Sequence, residues 1–146
     1  MTGDNYTRYK VTVTNGGVLR VGEYTYNGAG LGSMAVNTGY WTLNNGRLEI
    51  TKESDGTFGN GLTVAAGGGA VEVVNAGSTM SITADDTHNI QLNGALTITG
   101  AGNMITGSDN AFRGTGRLIK DGSGTLTLAN SSSFTGGVEL KRGTLI

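Results

Sequence analysis

Asp85, Asp86 and His88 place two carboxylates beside the chain's single imidazole. Such a group can ligate a metal or pass protons as a general acid and base. A zinc site needs three or four ligands, and the chain has no Cys and no second His to complete one. Calcium held by Asp85, Asp86 and nearby carbonyls is compatible with the sequence. So is a solvated polar corner whose Asp side chains close turns, and that reading needs no further groups.

Glu49 and Glu72 form the other pair with a chemistry. Two converging carboxylates can cleave a glycosidic bond. In a coiled strand array of roughly 20–25 residues per turn, side chains that far apart fall on neighbouring turns. Both glutamates sit in Gly-x-apolar-Glu-apolar units and point outward, with Lys52 as the nearby cation. They read as solvent-facing strand residues. No Gly-x-Ser-x-Gly elbow accompanies His88. Gly28-Ala-Gly30-Leu-Gly32 lacks the Lys-Ser/Thr and the helix of a phosphate loop and reads as a flexible corner. The calcium-binding Gly-Gly-x-Gly-x-Asp nonapeptide is also missing. The expectation is a protein that is not an enzyme, with no catalytic, cofactor-binding or metal-binding residues.

Strands must position whatever these residues do. A Gly-x-apolar-x-apolar unit recurs at Gly17–Val21, Gly46–Ile50, Gly61–Val64, Gly69–Val73, Gly77–Ile82, Gly94–Ile98 and Gly102–Met104. Apolar residues two apart, broken by turn formers, mean short β-strands. No window carries a helical apolar stripe that Gly leaves uninterrupted, and no run approaches the roughly 20 apolar residues of a membrane helix. Collagen is excluded because Pro is absent and the 27 Gly have no period of three. The units resemble one another, as stacked turns require, and hairpin signals are few, Asn44-Asn45-Gly46 being the best. The expected fold is therefore all-β: a parallel β-helix of about six rungs over a single domain, residues 1–146. It is taken as right-handed from the general preference of parallel connections and from the family resemblance given below, not from any residue here. Residues 22–40 read as a rung with a protruding loop and 83–90 as a polar corner.

Charge is uneven: +2 over residues 1–48, −6 over 49–112 and +3 over 113–146. No stretch is basic enough for nucleic acid. Tyr24 and Tyr26 share a strand face and are a candidate contact surface for a protein or sugar.

Residues 114–145 carry the densest pattern. They read Gly114-Thr-Gly116-Arg-Leu118-Ile-Lys120-Asp-Gly122-Ser-Gly124-Thr-Leu126-Thr-Leu128, then Phe134-Thr-Gly136-Gly137-Val138-Glu-Leu140, then Gly143-Thr-Leu145. This resembles the passenger-associated repeat of bacterial autotransporters, with Ser132 and Val138 standing where that family commonly has Asn and Thr. The resemblance implies a piece of a longer exported chain displayed at the bacterial surface or released, with Met1 added to it and a β-barrel translocator downstream. Its role would be that of a structural stalk whose C-terminal rungs nucleate folding during passage through the outer membrane. Leu118, Leu126, Leu128, Phe134, Val138, Leu140 and Leu145 would form that nucleus, and Gly116, Gly122, Gly124, Gly136, Gly137 and Gly143 its corners. The alternative is an adhesin or self-association module that binds another copy, a host protein or a glycan.

Overall fold

The computed structural model describes residues 11–22, 25–26, 29–30, 41–58, 61–82 and 89–146. Among them are seventeen strands and no helix. β1 (Val11–Thr14) and β2 (Val18–Val21) open the first turn, and β3 (Thr25–Tyr26) pairs antiparallel with β4 (Ala29–Gly30). Three strands then serve each turn. They are β5 (Trp41–Asn44), β6 (Gly46–Ile50) and β7 (Gly56–Phe58), followed by β8 (Leu62–Val64), β9 (Gly69–Val73) and β10 (Thr79–Ile82). β11 (Ile90–Leu92), β12 (Leu96–Gly100) and β13 (Asn103–Thr106) make the next turn. β14 (Phe112–Gly114) leads into the ten-residue β15 (Leu118–Thr127), and β16 (Ser133–Phe134) into β17 (Val138–Leu145).

Every strand outside the small antiparallel pair lies parallel to the equivalent strand one turn away. One sheet runs β1-β5-β8-β11-β14-β16. The other runs β2-β6-β9-β12-β15-β13-β10-β7, with β17 also on β15. β15 bends this second sheet into two faces, because its first residues pair with β12 and its last with β13. The result is a three-faced parallel β-solenoid. It has about four turns where the sequence spacing predicts six. Among the described residues the β1–β2 and β16–β17 sets at the two ends each have a stacked neighbour on one side only.

Inside, the rows are apolar. Trp41, Leu62, Ile90 and Phe112 stack in register on one face, and Leu48, Val71 and Ile98 on the next. Met80, Met104 and Leu126 fill the third. All of these are buried. A single turn cannot cover its own apolar row, so burial comes from the neighbours above and below.

Asn44-Asn45-Gly46 makes a corner and not a hairpin. An Asn-Gly hairpin turn needs positive φ at both residues; here Asn45 alone has it, at 62°, and Gly46 already belongs to β6. The chain thus leaves one sheet and enters the other. Between the second and third faces the corner shortens along the rod. Residues 51–55 and 74–78 form it in successive turns, residues 101–102 in the next, and in β15 the strand runs straight through. In the longer corners side chains replace ladder partners. Asn75 donates to the carbonyls of Thr51 and Lys52 at 2.8 and 3.1 Å, and Asp55 accepts from the Thr79 N–H at 2.7 Å.

The largest changes in turn length fall before the first sheet. Val11 faces Trp41, Trp41 faces Leu62, Leu62 faces Ile90 and Ile90 faces Phe112. The two longest intervals contain residues 22–40 and 83–90, the segments that interrupt the sequence rhythm. After each, the inward residue of the next strand still meets an inward residue, so the extra length does not disturb the register.

Candidate functional site

The solenoid brings the carboxylate pair together. Glu49 stands directly opposite Glu72 on the outer side of β6 and β9. Both are ion-paired. Arg20, opposite Glu49 on β2, donates to both its oxygens at 2.9 and 3.2 Å. Arg47 bridges the two glutamates, 3.5 Å from Glu49 and 3.0 Å from Glu72. The side chain of Glu49 is only 11% exposed, so it faces outward yet lies beneath the guanidiniums; the expectation of a freely solvated residue is corrected on that point. The hydrogen bond from Arg20 holds the Glu49 carboxyl below its ordinary range, with the charges of Arg20 and Arg47 adding to it. A general acid needs the opposite shift. Among the described residues no group of three or more His, Cys, Asp or Glu is placed to hold a metal. Asp85, Asp86, His88 and Tyr24 lie outside the described residues, and Tyr26 is placed by its backbone alone, in β3.

The residues of the repeat fall in two groups. Leu118 and Leu126 are fully buried, while Leu128, Phe134 and Leu145 pack partly buried against the core. Phe134 stands opposite Gly114 and meets Phe112 edge-on, with ring centroids 6.1 Å apart. Val138 and Leu140 depart from the expected core positions. They lie on β17, opposite Leu118 and Lys120, but are 42% and 51% exposed because no described strand covers the other side of that row. Gly116, Gly122, Gly124 and Gly136 each press against the backbone of the preceding turn, and Gly137 and Gly143 have positive φ. At Gly124 an added Cβ would overlap the Gly102 carbonyl oxygen, so only glycine lets the two backbones stack there.

One residue of the pattern has a place that sequence reasoning did not assign. Lys120 points inward, between Ile98 and Leu140, and is 1% exposed. Its ammonium donates to the Gly122 carbonyl at 2.7 Å. Burial pushes its pKa down, partly countered by Asp121. The signal was parity. Leu118, Lys120, Gly122, Gly124 and Leu126 alternate without a break, and all five are buried.

The structure thus defines a class: a parallel β-solenoid closed by glycine corners, with ion pairs on its outer face. The passenger-associated-transport-repeat family matches residues 118–146. The chain is also 34% identical, over 139 residues and 93% of its length, to the adhesin BmaC autotransporter of Brucella suis biovar 1 (strain 1330). It spans 3% of that relative's length. No solved structure matches it. These matches bear out the resemblance to an autotransporter passenger segment. Autotransporter passengers are displayed at the cell surface or secreted.

Proposed function

We propose that this chain is a structural, non-enzymatic stretch of a surface-displayed passenger, and that its C-terminal turns nucleate folding as the parent chain crosses the outer membrane. The observation that carries this reading is β15. It runs through a corner without interruption, joins two faces and pairs with β12, β13 and β17, so its formation organises two faces at once. Glycine corners and a Leu-rich inner row at the same turns support the same role. The β-barrel translocator expected of an autotransporter would lie elsewhere in the parent; no helix among the described residues is long and apolar enough to cross a membrane.

Refolding kinetics test the nucleus. Leu126 and Leu43 are equally well buried, so truncating either to Ala costs about 2–5 kcal/mol. Leu126→Ala should slow refolding, whereas Leu43→Ala should mainly speed unfolding. The reverse assignment would sink the nucleation reading. In the full-length parent, Leu126→Asp should abolish display by burying an unpaired charge. Wild-type display would count against it.

A second reading is adhesion, because the relative is itself named an adhesin. Self-association through the outer polar rows would give a mass in solution that rises with protein concentration.

A further inference from the structure

Cations scattered through the sequence converge on one face of the rod. Arg20, Arg47, Arg117, Lys141 and Arg142 all lie on the outer side of the β2-β6-β9-β12-β15-β17 face. The register irregularity between Lys120 and Asp121 seats Lys141 beside Arg142 there. Among the described residues, the other cations are Arg113 on the first sheet and the buried Lys52 and Lys120.

Four carboxylates share this face, but they lie deeper. Side-chain exposure is 68% for Arg20, 45% for Arg47, 59% for Arg117 and 73% for Arg142. It is 11% for Glu49, 26% for Glu72, 30% for Asp121 and 41% for Glu139. In each pair the cation is the more exposed partner, and the face carries five cations against four carboxylates. The guanidiniums also keep donors in reserve. Arg142 uses only Nε, on Asp121 at 2.6 Å, and Arg117 only one terminal nitrogen, on Glu139 at 3.3 Å. Exposed ion pairs of this kind yield readily to a competing anion.

The face is shaped as well as charged. Between Arg47 and Arg117 the outer side chains shrink to Ala70, Ala95 and Thr97, and an open groove of about 540 Å³ runs along them beside the glycine corner. Arg47 lines it, and Arg117 lies outside the lining, one turn beyond it and next to Leu118, the partner of Leu96. The two arginines are three turns apart, about 14 Å at roughly 4.8 Å per turn.

We propose that this face binds a linear anionic polysaccharide lying along the rod axis, its sulfate or carboxylate groups held by Arg47 and Arg117 and flanked by Arg20 and Arg142. The planar guanidinium fork matches both kinds of oxyanion. A nucleic acid fits less well, since no described aromatic side chain lies on the face to stack a base. The inference rests on the reading of the chain as a surface-displayed segment, where such polymers are met.

Retention of this chain on immobilised heparin, eluted with salt, tests the proposal. The wild type is expected to be retained at about 50 mM salt and released as screening rises. Removing both arginines in an Arg47→Ser, Arg117→Ser variant should weaken binding by at least about tenfold. Ala70→Glu should do the same by placing a carboxylate in the groove, and circular dichroism reports whether each variant keeps its β signal. Fully desulfated, carboxyl-reduced heparin should not bind. No retention of the wild type, or equal retention of both folded variants, overturns the proposal. Equal affinity for oligo(dT) overturns the polysaccharide assignment. None of these substitutions touches the inner rows, so loss of binding leaves the stalk reading intact, and a failed display experiment leaves this one intact.

Discussion

Lys120 and Gly124 show how single positions are constrained by the turn beneath them. A buried ammonium that bonds one carbonyl is poorly compensated, and its lowered pKa means that folding favours the neutral amine. The unfolded chain then binds more protons between the folded pKa and the ordinary value of 10.5, so stability rises with pH across that window. Lys120→Met should flatten the rise, which denaturant midpoints of both proteins from pH 7 to 10.5 would reveal. A parallel rise in the variant would remove Lys120 as its source. At Gly124 the constraint is steric. Gly124→Ala should cost about 1–3 kcal/mol through overpacking. Gly77, exposed and with nothing within 4 Å of an added Cβ, is the contrasting site. Gly77→Ala should be neutral or stabilise by up to about 1 kcal/mol through the unfolded chain, as compared in guanidinium melts. The position of Lys120 was legible in the unbroken alternation from Leu118 to Leu126. Its burial was less so, because a lysine in a strand pattern is ordinarily read as solvent-facing.

At the scale of elements, the strands were legible and their partners were not. Period-two spacing located β6, β9 and β12 within a residue or two, and their mutual likeness pointed to stacking. What Asn45 does depends on how many residues take positive φ, which Asn-Gly alone does not specify. The join between faces in β15 depends on Gly122 and Gly124 meeting the Gly100 and Gly102 backbones, a contact between residues one turn apart. The ion-paired outer row was half visible. The spacing of Glu49 and Glu72 set them side by side, but Arg20 and Arg47 become their partners only once β2 and β6 are in register. This row makes an acid-linked prediction. Because the carboxyl of Glu49 is depressed, its contribution is present above the ordinary value of 4.5 and is lost as pH falls through the folded value. Glu49→Gln should therefore be less stable than wild type at pH 7, with the gap closing below about pH 4.5. A gap that persists in acid would mean that packing, and not charge, holds Arg20 in place.

Across the whole molecule, stability is shared between turns that touch only their neighbours. The inner turns should protect their amides longest in hydrogen exchange, with β1 and β17 exchanging first, since each is stacked on one side only among the described residues. Uniform protection from β1 to β17 would show instead that the rod opens as one unit. The same nearest-neighbour logic gives a meaning to the uneven turn lengths before the first sheet. The long connections into β5 and β11 return to the same inward register as the short one into β8. A rod built this way separates its chassis from its cargo. New peptide can be spliced in at one edge, at a height fixed by the turn that receives it, without re-solving the packing of the wall. The edge before β11 is accordingly the place to graft a foreign epitope for presentation on a bacterial surface.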